Sequence, residues 1–103
     1  MIVTGFDSLL RFESQTGQRI GNPVPLPGVA ATGIVIDGRG RVYVGTSSWP
    51  NVPGSLNGIA AVEGDRVVWF FPTNVPPSEF SLAMGPDGTI YFVAGNTVFA
   101  LGP

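Results

Sequence analysis

The chain repeats itself. The stretch GIVIDGRGRVYVG, residues 33–45, aligns without gaps on SLAMGPDGTIYFV, residues 81–93, at an offset of 48 residues. A shorter apolar motif occurs three times, as SLLRFES at 8–14, GIAAVEG at 58–64 and TVFALGP at 97–103. Because the repeated stretches are short apolar runs separated by turn residues, the sequence predicts copies of one small β-unit.

Each copy of the longer repeat contains the residues of a tight hairpin. In the first copy, Asp37 suits a position where its side chain caps the turn, and Gly40 accepts the positive φ that a three-residue loop requires. In the second copy, Gly88 takes the place of Gly40, and Asp87 suits the turn position just before it. We therefore predict a hairpin between a strand A and a strand B in each copy, while the shorter motif forms a strand C that leads through a turn into a strand D.

The predicted strands follow one another in the order B-C-D, A-B-C-D, A-B-C. They are A at 33–37 and 80–85, B at 1–4, 41–46 and 89–94, C at 8–14, 58–64 and 97–103, and D at 18–24 and 67–72. A period in the forties made of strands is typical of propeller blades. The sequence thus predicts an all-β fold, a partial β-propeller with four-stranded antiparallel blades, as one unit over 1–103. It comprises a partial blade at 1–27, a complete blade at 33–72 and a partial blade at 80–103.

The predicted strands are nearly continuous apolar runs, such as VVWFF at 67–71. This pattern is typical of sheets that are covered on both faces. About two and a half blades would leave two apolar faces and a strand edge in water, which favours aggregation. Burying several hundred Å² at roughly 25 cal/mol per Å² is worth on the order of 10 kcal/mol. We expect another protein surface to cover these faces.

Composition excludes several classes of function. Among 103 residues there are 15 glycines and 10 prolines, which favours turns over helices, and there is no cysteine and no histidine. Thiol chemistry, zinc–thiolate sites and a histidine base are therefore excluded. Five scattered basic residues and a net charge of −2 argue against nucleic-acid binding. The longest apolar run is far shorter than the roughly 20 residues of a membrane helix, so we expect no membrane insertion.

The repeats resemble the blades of PQQ-like, NHL-like and related bacterial β-propellers. In those blades, an Asp-Gly hairpin followed by an aliphatic residue and Tyr joins strands A and B, as Asp87, Gly88 and Tyr91 do here. Strand D often ends in tryptophan, which Trp69 matches. The resemblance implies a propeller architecture and no particular activity, because propellers include binding modules and enzymes alike.

The first repeat departs from this pattern. Thr16 and Gly17 match the turn before strand D, but Glu13 replaces the usual aspartate, and Ile20 and Gly21 stand where the tryptophan would fall. The calcium-ligating acids and cofactor-stacking tryptophan of quinoprotein dehydrogenases cannot be placed in the chain.

No catalytic, metal or cofactor site is predicted. The seven acidic residues are scattered, and Asp37, Asp65 and Asp87 lie in predicted turns, where their side chains cap the main chain. Serine nucleophiles have no histidine to act as a base. We interpret the protein as non-enzymatic.

Candidate interaction residues are the aromatic side chains and a long loop between strands B and C of the complete blade. Insertions on one face of a propeller are typical ligand or partner sites. Trp49 in this loop is interpreted either as a binding residue or as a local plug packed between Pro50 and Pro53. In strand D, large aromatic side chains are expected to pack between blades. The candidate interaction residues are Trp49, Pro50, Asn51, Trp69 and Phe71.

Three functional hypotheses follow. The chain is a structural or interaction module completed by self-association, with strand exchange through an unmatched segment at 18–24; or it docks its open faces on another protein; or it is a fragment of a larger propeller protein, such as a lectin, a sensor or a quinoprotein-like enzyme, whose site is not contained in it. Binding of a small ligand or carbohydrate by the loops of one face stays open.

Overall fold

The computed structural model describes residues 2–79 and 81–102, and within these ranges it contains ten strands and no helix. All strand pairs are antiparallel. The prediction of an all-β fold is confirmed. The strands are β1 (Ile2–Thr4), β2 (Ser8–Arg11), β3 (Val24–Pro25), β4 (Val29–Ile36), β5 (Val42–Ser47), β6 (Gly58–Glu63), β7 (Arg66–Pro72), β8 (Ala83–Met84), β9 (Ile90–Ala94) and β10 (Thr97–Leu101).

Three sheets follow one another along the chain, and in each the strands pair in sequence order. Sheet 1 contains β1 to β3, sheet 2 contains β4 to β7, and sheet 3 contains β8 to β10. The sheets pack one on another in sequence order and do not close into a circle, and the molecule measures 42 × 37 × 21 Å.

The two long-repeat hairpins have the predicted turn geometry. Gly40 and Gly88 both have φ of +88°, and the N–H of each donates a hydrogen bond of 3.1 Å across its turn, to Asp37 and Gly85 respectively. The Asp37 carboxylate accepts further bonds from its own loop. These φ values and hydrogen bonds confirm the turn prediction. Glycine suits these positions because it adopts the left-handed conformation without strain.

The strand predicted over 18–24 is mostly irregular. Only β3, at its end, forms a regular pair with β2. Gly21 has φ of +68°, outside the β region, and Pro23 has no N–H for a sheet ladder. These residues interrupt the strand.

This segment is nevertheless paired with its own sheet. The N–H of Ile20 donates to the carbonyl of Arg11 at 2.8 Å, and Val24 lies opposite Leu9. Strand exchange through 18–24 would first have to break these contacts with β2.

Sheet 2 lies between the other two sheets, and both of its faces are covered. Its strand β5 is buried at every position, and β6 is exposed only at its last residue. This agrees with the apolar runs in the sequence. One face packs on sheet 3 through Tyr43, Ile59, Ala61, Ile90, Phe92 and Ala94. The other packs on sheet 1 through Leu9, Val24, Val42 and Val62.

A side-chain hydroxyl completes the hydrogen bonding beside two of the hairpins. Thr32 Oγ1 accepts a bond of 2.8 Å from the N–H of Gly45, where the register of β4 and β5 shifts. Ser81 Oγ accepts a bond of 3.1 Å from the N–H of Val93. Gly45 and Val93 occupy the same repeat position, so the same hydrogen bond from a main-chain N–H to a side-chain hydroxyl occurs in sheets 2 and 3.

We expect Thr32→Val to lower the free energy of unfolding by about 1–3 kcal/mol, because it leaves the buried Gly45 N–H without its acceptor. Thr32→Ser keeps the hydroxyl and is the matched control, with a loss of about 1 kcal/mol or less for one methyl group. Urea denaturation of both variants measures the difference. Equal losses would show that the hydrogen bond does not contribute.

Candidate interaction site

The loop between β5 and β6 is held by its own polar side chains. Ser55 Oγ accepts a bond of 2.8 Å from the N–H of Trp49, and Asn57 Oδ1 accepts one of 2.7 Å from the N–H of Ser48. At the base of the loop, Thr46 Oγ1 donates to the Leu56 carbonyl at 2.8 Å. The loop therefore presents its exposed residues in one ordered arrangement.

Trp49 lies on this loop beside an aromatic residue of sheet 1. Its ring meets Phe6, in the turn between β1 and β2, edge to face with centroids 5.2 Å apart. Trp49 is 44% exposed and Phe6 is 53% exposed. The tryptophan thus packs on a residue of the neighbouring sheet and still offers nearly half of its surface to solvent. Pro50 and Asn51 beside it are exposed.

Trp69 and Phe71 lie elsewhere, at the junction of sheets 2 and 3. Trp69 packs on Tyr43 with ring centroids 5.9 Å apart, and Phe71 packs on Phe99 at 5.8 Å. Both side chains are half-buried in the cluster between the two sheets. The structure therefore does not bring the five candidate residues together: three form a loop surface and two stabilise the fold.

The outward side of sheet 3 is an apolar surface whose residues could not be assigned from the sequence. We call it the outer face of sheet 3. Tyr91 is 42% exposed and Val98 is 72% exposed. The strand register aligns its members in two rows, because Tyr91 lies opposite Ala83 and Ala100, and Val93 lies opposite Val98. None of the members carries a charge: Ala83, Tyr91, Val93, Val98 and Ala100.

Sheet 1 has a smaller apolar surface on its outward side, the outer face of sheet 1. Val3, which is 41% exposed, lies opposite Leu10 in the pairing of β1 and β2. Leu9 and Val24, on the opposite side, pack on sheet 2. The two ends of the stack therefore both present uncharged side chains.

A polar groove of about 320 Å³ separates the two long-repeat hairpins. Asp37, Arg41 and Tyr43 line one side of it and Asp87 the other. Arg41 donates through Nε to Glu63 Oε1 at 2.7 Å, which ties this hairpin to the last residue of β6.

Both aspartates of the groove titrate below the usual aspartate range. Partial desolvation raises the pKa of Asp37, but hydrogen bonds from the N–H groups of Arg41 and Arg39, with the charges of both guanidinium groups, outweigh it and lower the pKa. The N–H and hydroxyl of Thr89 lower the pKa of Asp87. The bond to Glu63 raises the pKa of Arg41, with a smaller contribution from Tyr43. The shifts of the two aspartates accompany hydrogen bonds within their own turns, whereas that of Arg41 comes from its pairing with Glu63.

Among residues 2–79 and 81–102 there is no cluster of three or more metal-ligating side chains. No helix in this part of the chain is long and apolar enough to cross a membrane. No protein-family model matches the sequence, and no curated protein sequence matches it either. The propeller resemblance accordingly stays a prediction.

The two tryptophans provide a test of this placement. We expect Trp69→Ala to lower the free energy of unfolding by about 2–4 kcal/mol, because it opens a cavity between sheets 2 and 3. Trp49→Ala should cost about 1 kcal/mol or less, since the side chain is half exposed and, within the described residues, Phe6 is its one aromatic contact. Chemical denaturation gives both values, and similar losses would contradict the assignment.

Acidification tests the turn aspartates. Because the pKa values of Asp37 and Asp87 are lower in the folded protein, their contribution is fully present above the unfolded pKa of about 4 and is lost as the pH falls through the folded values. We expect Asp87→Asn to reduce the decline in unfolding free energy below about pH 4, and the additional Asp37→Asn change to reduce it further. Denaturation from pH 7 to pH 2.5 measures this, and an unchanged pH profile in the double variant would contradict it.

Proposed function

We propose that this protein is a non-enzymatic assembly module, a partial β-propeller whose outer faces are covered by another copy of the same chain. The observation that carries the proposal is a match between an exposed surface and a buried one. Tyr91 and Val98 on the outer face of sheet 3 occupy the repeat positions of Tyr43 and Ile59. In sheet 2 those two side chains are buried beneath sheet 3.

The rest of the outer face of sheet 3 follows the same pattern. Ala100 occupies the repeat position of Ala61, which is fully buried beneath sheet 3. Ala83 occupies that of Val35, which packs against the same cluster. A surface built like a buried sheet face is stabilised when a second sheet covers it, by roughly 25 cal/mol for each Å² of apolar area removed from water.

A second copy is the occupant that the repeats favour. Each chain already packs one of its own sheets on each face of sheet 2, so it carries surfaces that fit one another. Another copy supplies these surfaces without any additional partner. Most soluble oligomers are symmetric assemblies of copies of one chain.

The loop surface around Trp49 would stay accessible in this assembly. Trp49 and Phe6 lie at the loops that connect β5 to β6 and β1 to β2, and neither belongs to an outer sheet face. Ordered, half-exposed aromatic residues are frequent anchors in binding sites. Binding of a partner or a small ligand would take place here.

The alternative is that further blades of a longer polypeptide cover the same faces. Sheets 1 and 3 would then contact neighbouring repeats of one chain, and any ligand site would be shared among blades outside this sequence. The same repeat match supports it, because the added blades would carry the same surfaces. The two proposals differ in the behaviour of this chain alone.

Native mass by light scattering at several concentrations tests the proposal. We expect a discrete oligomer, and we expect Val98→Glu to weaken it about a hundred-fold, equivalent to about 3 kcal/mol, because it places an unpaired carboxylate in an apolar contact. Gln15→Glu adds the same charge on the exposed turn after β2 and should leave the oligomer intact. A monomer, or an oligomer insensitive to Val98→Glu, would contradict self-association through this face.

A further inference from the structure

We infer that the copies join head to tail, with the outer face of sheet 3 in one protomer packed on the outer face of sheet 1 in the next. This inference rests on the proposed self-association. It goes beyond it by assigning the partner surface and the direction of assembly.

The two interfaces inside the chain provide the template. Between sheets 2 and 3, Ile59 and Tyr43 contribute from sheet 2, and Phe92 contributes from sheet 3, packed against Phe99 with ring centroids 4.9 Å apart. Ile59 and Tyr43 lie on the same face of sheet 2. In each sheet, we call the face at the repeat positions of these two residues the forward face. The face of sheet 3 that carries Phe92 and Phe99 is called the backward face.

The interface between sheets 1 and 2 uses the same two kinds of face. Leu9 occupies the repeat position of Ile59, so sheet 1 contributes its forward face. Sheet 2 contributes Val62, which lies on the same side of β6 as Ala60. Ala60 has the repeat position of Phe99, so this side is the backward face of sheet 2. In both interfaces a forward face therefore packs on a backward face, and neither interface joins two faces of the same kind.

One face of each kind is left exposed at the ends of the stack. The outer face of sheet 3 is a forward face, since Tyr91 and Val98 correspond to Tyr43 and Ile59. The outer face of sheet 1 is a backward face, because Leu10 has the repeat position of Phe99 and its cross-strand partner Val3 accordingly that of Phe92. A second copy joined head to tail repeats the contact that the chain makes twice internally.

The side chains at these faces are compatible with such a contact. Val98 is 72% exposed and Val3 is 41% exposed, and neither belongs to the clusters between the sheets. No charged side chain occurs among the members of the outer face of sheet 3 or on Val3 and Leu10. Packing Val98 on the pair of Val3 and Leu10 would therefore bury no unpaired charge, and Arg19, which is exposed and lies opposite Phe12 beyond the end of β2, would remain at the rim of the contact.

Head-to-tail contacts either close into a ring or continue into a filament. Each chain contributes three sheets, so two copies provide six, within the roughly four to eight blades of known propellers, whereas three copies provide nine. The number of sheets therefore favours a closed ring of two copies, with twice the 10.8 kDa mass of one chain.

Two single variants and their mixture test the direction of assembly. Val98→Glu places a charge on the outer face of sheet 3, and Val3→Glu places one on the outer face of sheet 1; both positions are exposed in a single chain. We expect each variant alone to dissociate at least ten-fold more readily than the wild type, and an equimolar mixture to recover dimers, because the mixed pair retains one contact between two unaltered faces. Gln15→Glu is the control for charge, and circular dichroism with urea denaturation checks that each variant is folded.

The outcomes separate this inference from the proposed function. If Val98→Glu dissociates the oligomer while Val3→Glu does not, the copies pack through sheet 3 alone, and self-association stands while the head-to-tail direction is overturned. The opposite pattern assigns the contact to sheet 1 alone and also overturns it. A wild-type chain that is monomeric at all concentrations overturns both. Should either Glu variant be unfolded, Val98→Ser and Val3→Ser take their place in the same mixing experiment.

Discussion

Burial of both faces of sheet 2 is the constraint on which the rest of the structure depends. Ile59 and Ala61 project to one side of β6, Ala60 and Val62 to the other, and all four are fully buried. A strand that is apolar on both faces is removed from water only when other sheets cover both faces of its own sheet. The stack of three sheets follows from this, and so does the exposure of an apolar face at each end, since a stack always has two outermost surfaces.

The turns make the stack possible by keeping each sheet compact and antiparallel. Gly40 and Gly88 permit the tight A–B hairpins, and Gly64 and Gly95, with φ of +61° and +62°, start the two-residue loops after β6 and β9. Polar side chains in and near these turns are largely occupied with the main chain. This explains the lowered pKa values of the aspartates in the groove between the hairpins: the hydrogen bonds that lower them come from their own loops.

The sequence predicted the strands and hairpins of sheets 2 and 3 closely, because the repeat, the apolar runs and the turn residues all indicate the same elements. It failed at 18–24, where the order of the repeats suggested a strand D but Gly21 and Pro23 interrupt the ladder. Among the candidate interaction residues, Trp49 was proposed from the length of its loop and from the frequency of tryptophan at interfaces. The outer face of sheet 3 was not identified residue by residue, although Tyr91 and Val98 stand at repeat positions that are buried one sheet earlier.

What the sequence by itself determined is local: the all-β class, the turns, and strands whose two faces are both apolar. These depend on the conformational preferences of glycine, proline and aspartate and on hydrophobic pattern, which act over a few residues. Only the tertiary structure decided which face of each strand meets which neighbour, that Trp49 rests on Phe6, and that Tyr91 and Val98 lie on an exposed side of the stack. Those outcomes depend on how sheets far apart in the chain pack together, and the same alternation of side chains fits either side of a sheet until its neighbours are in place.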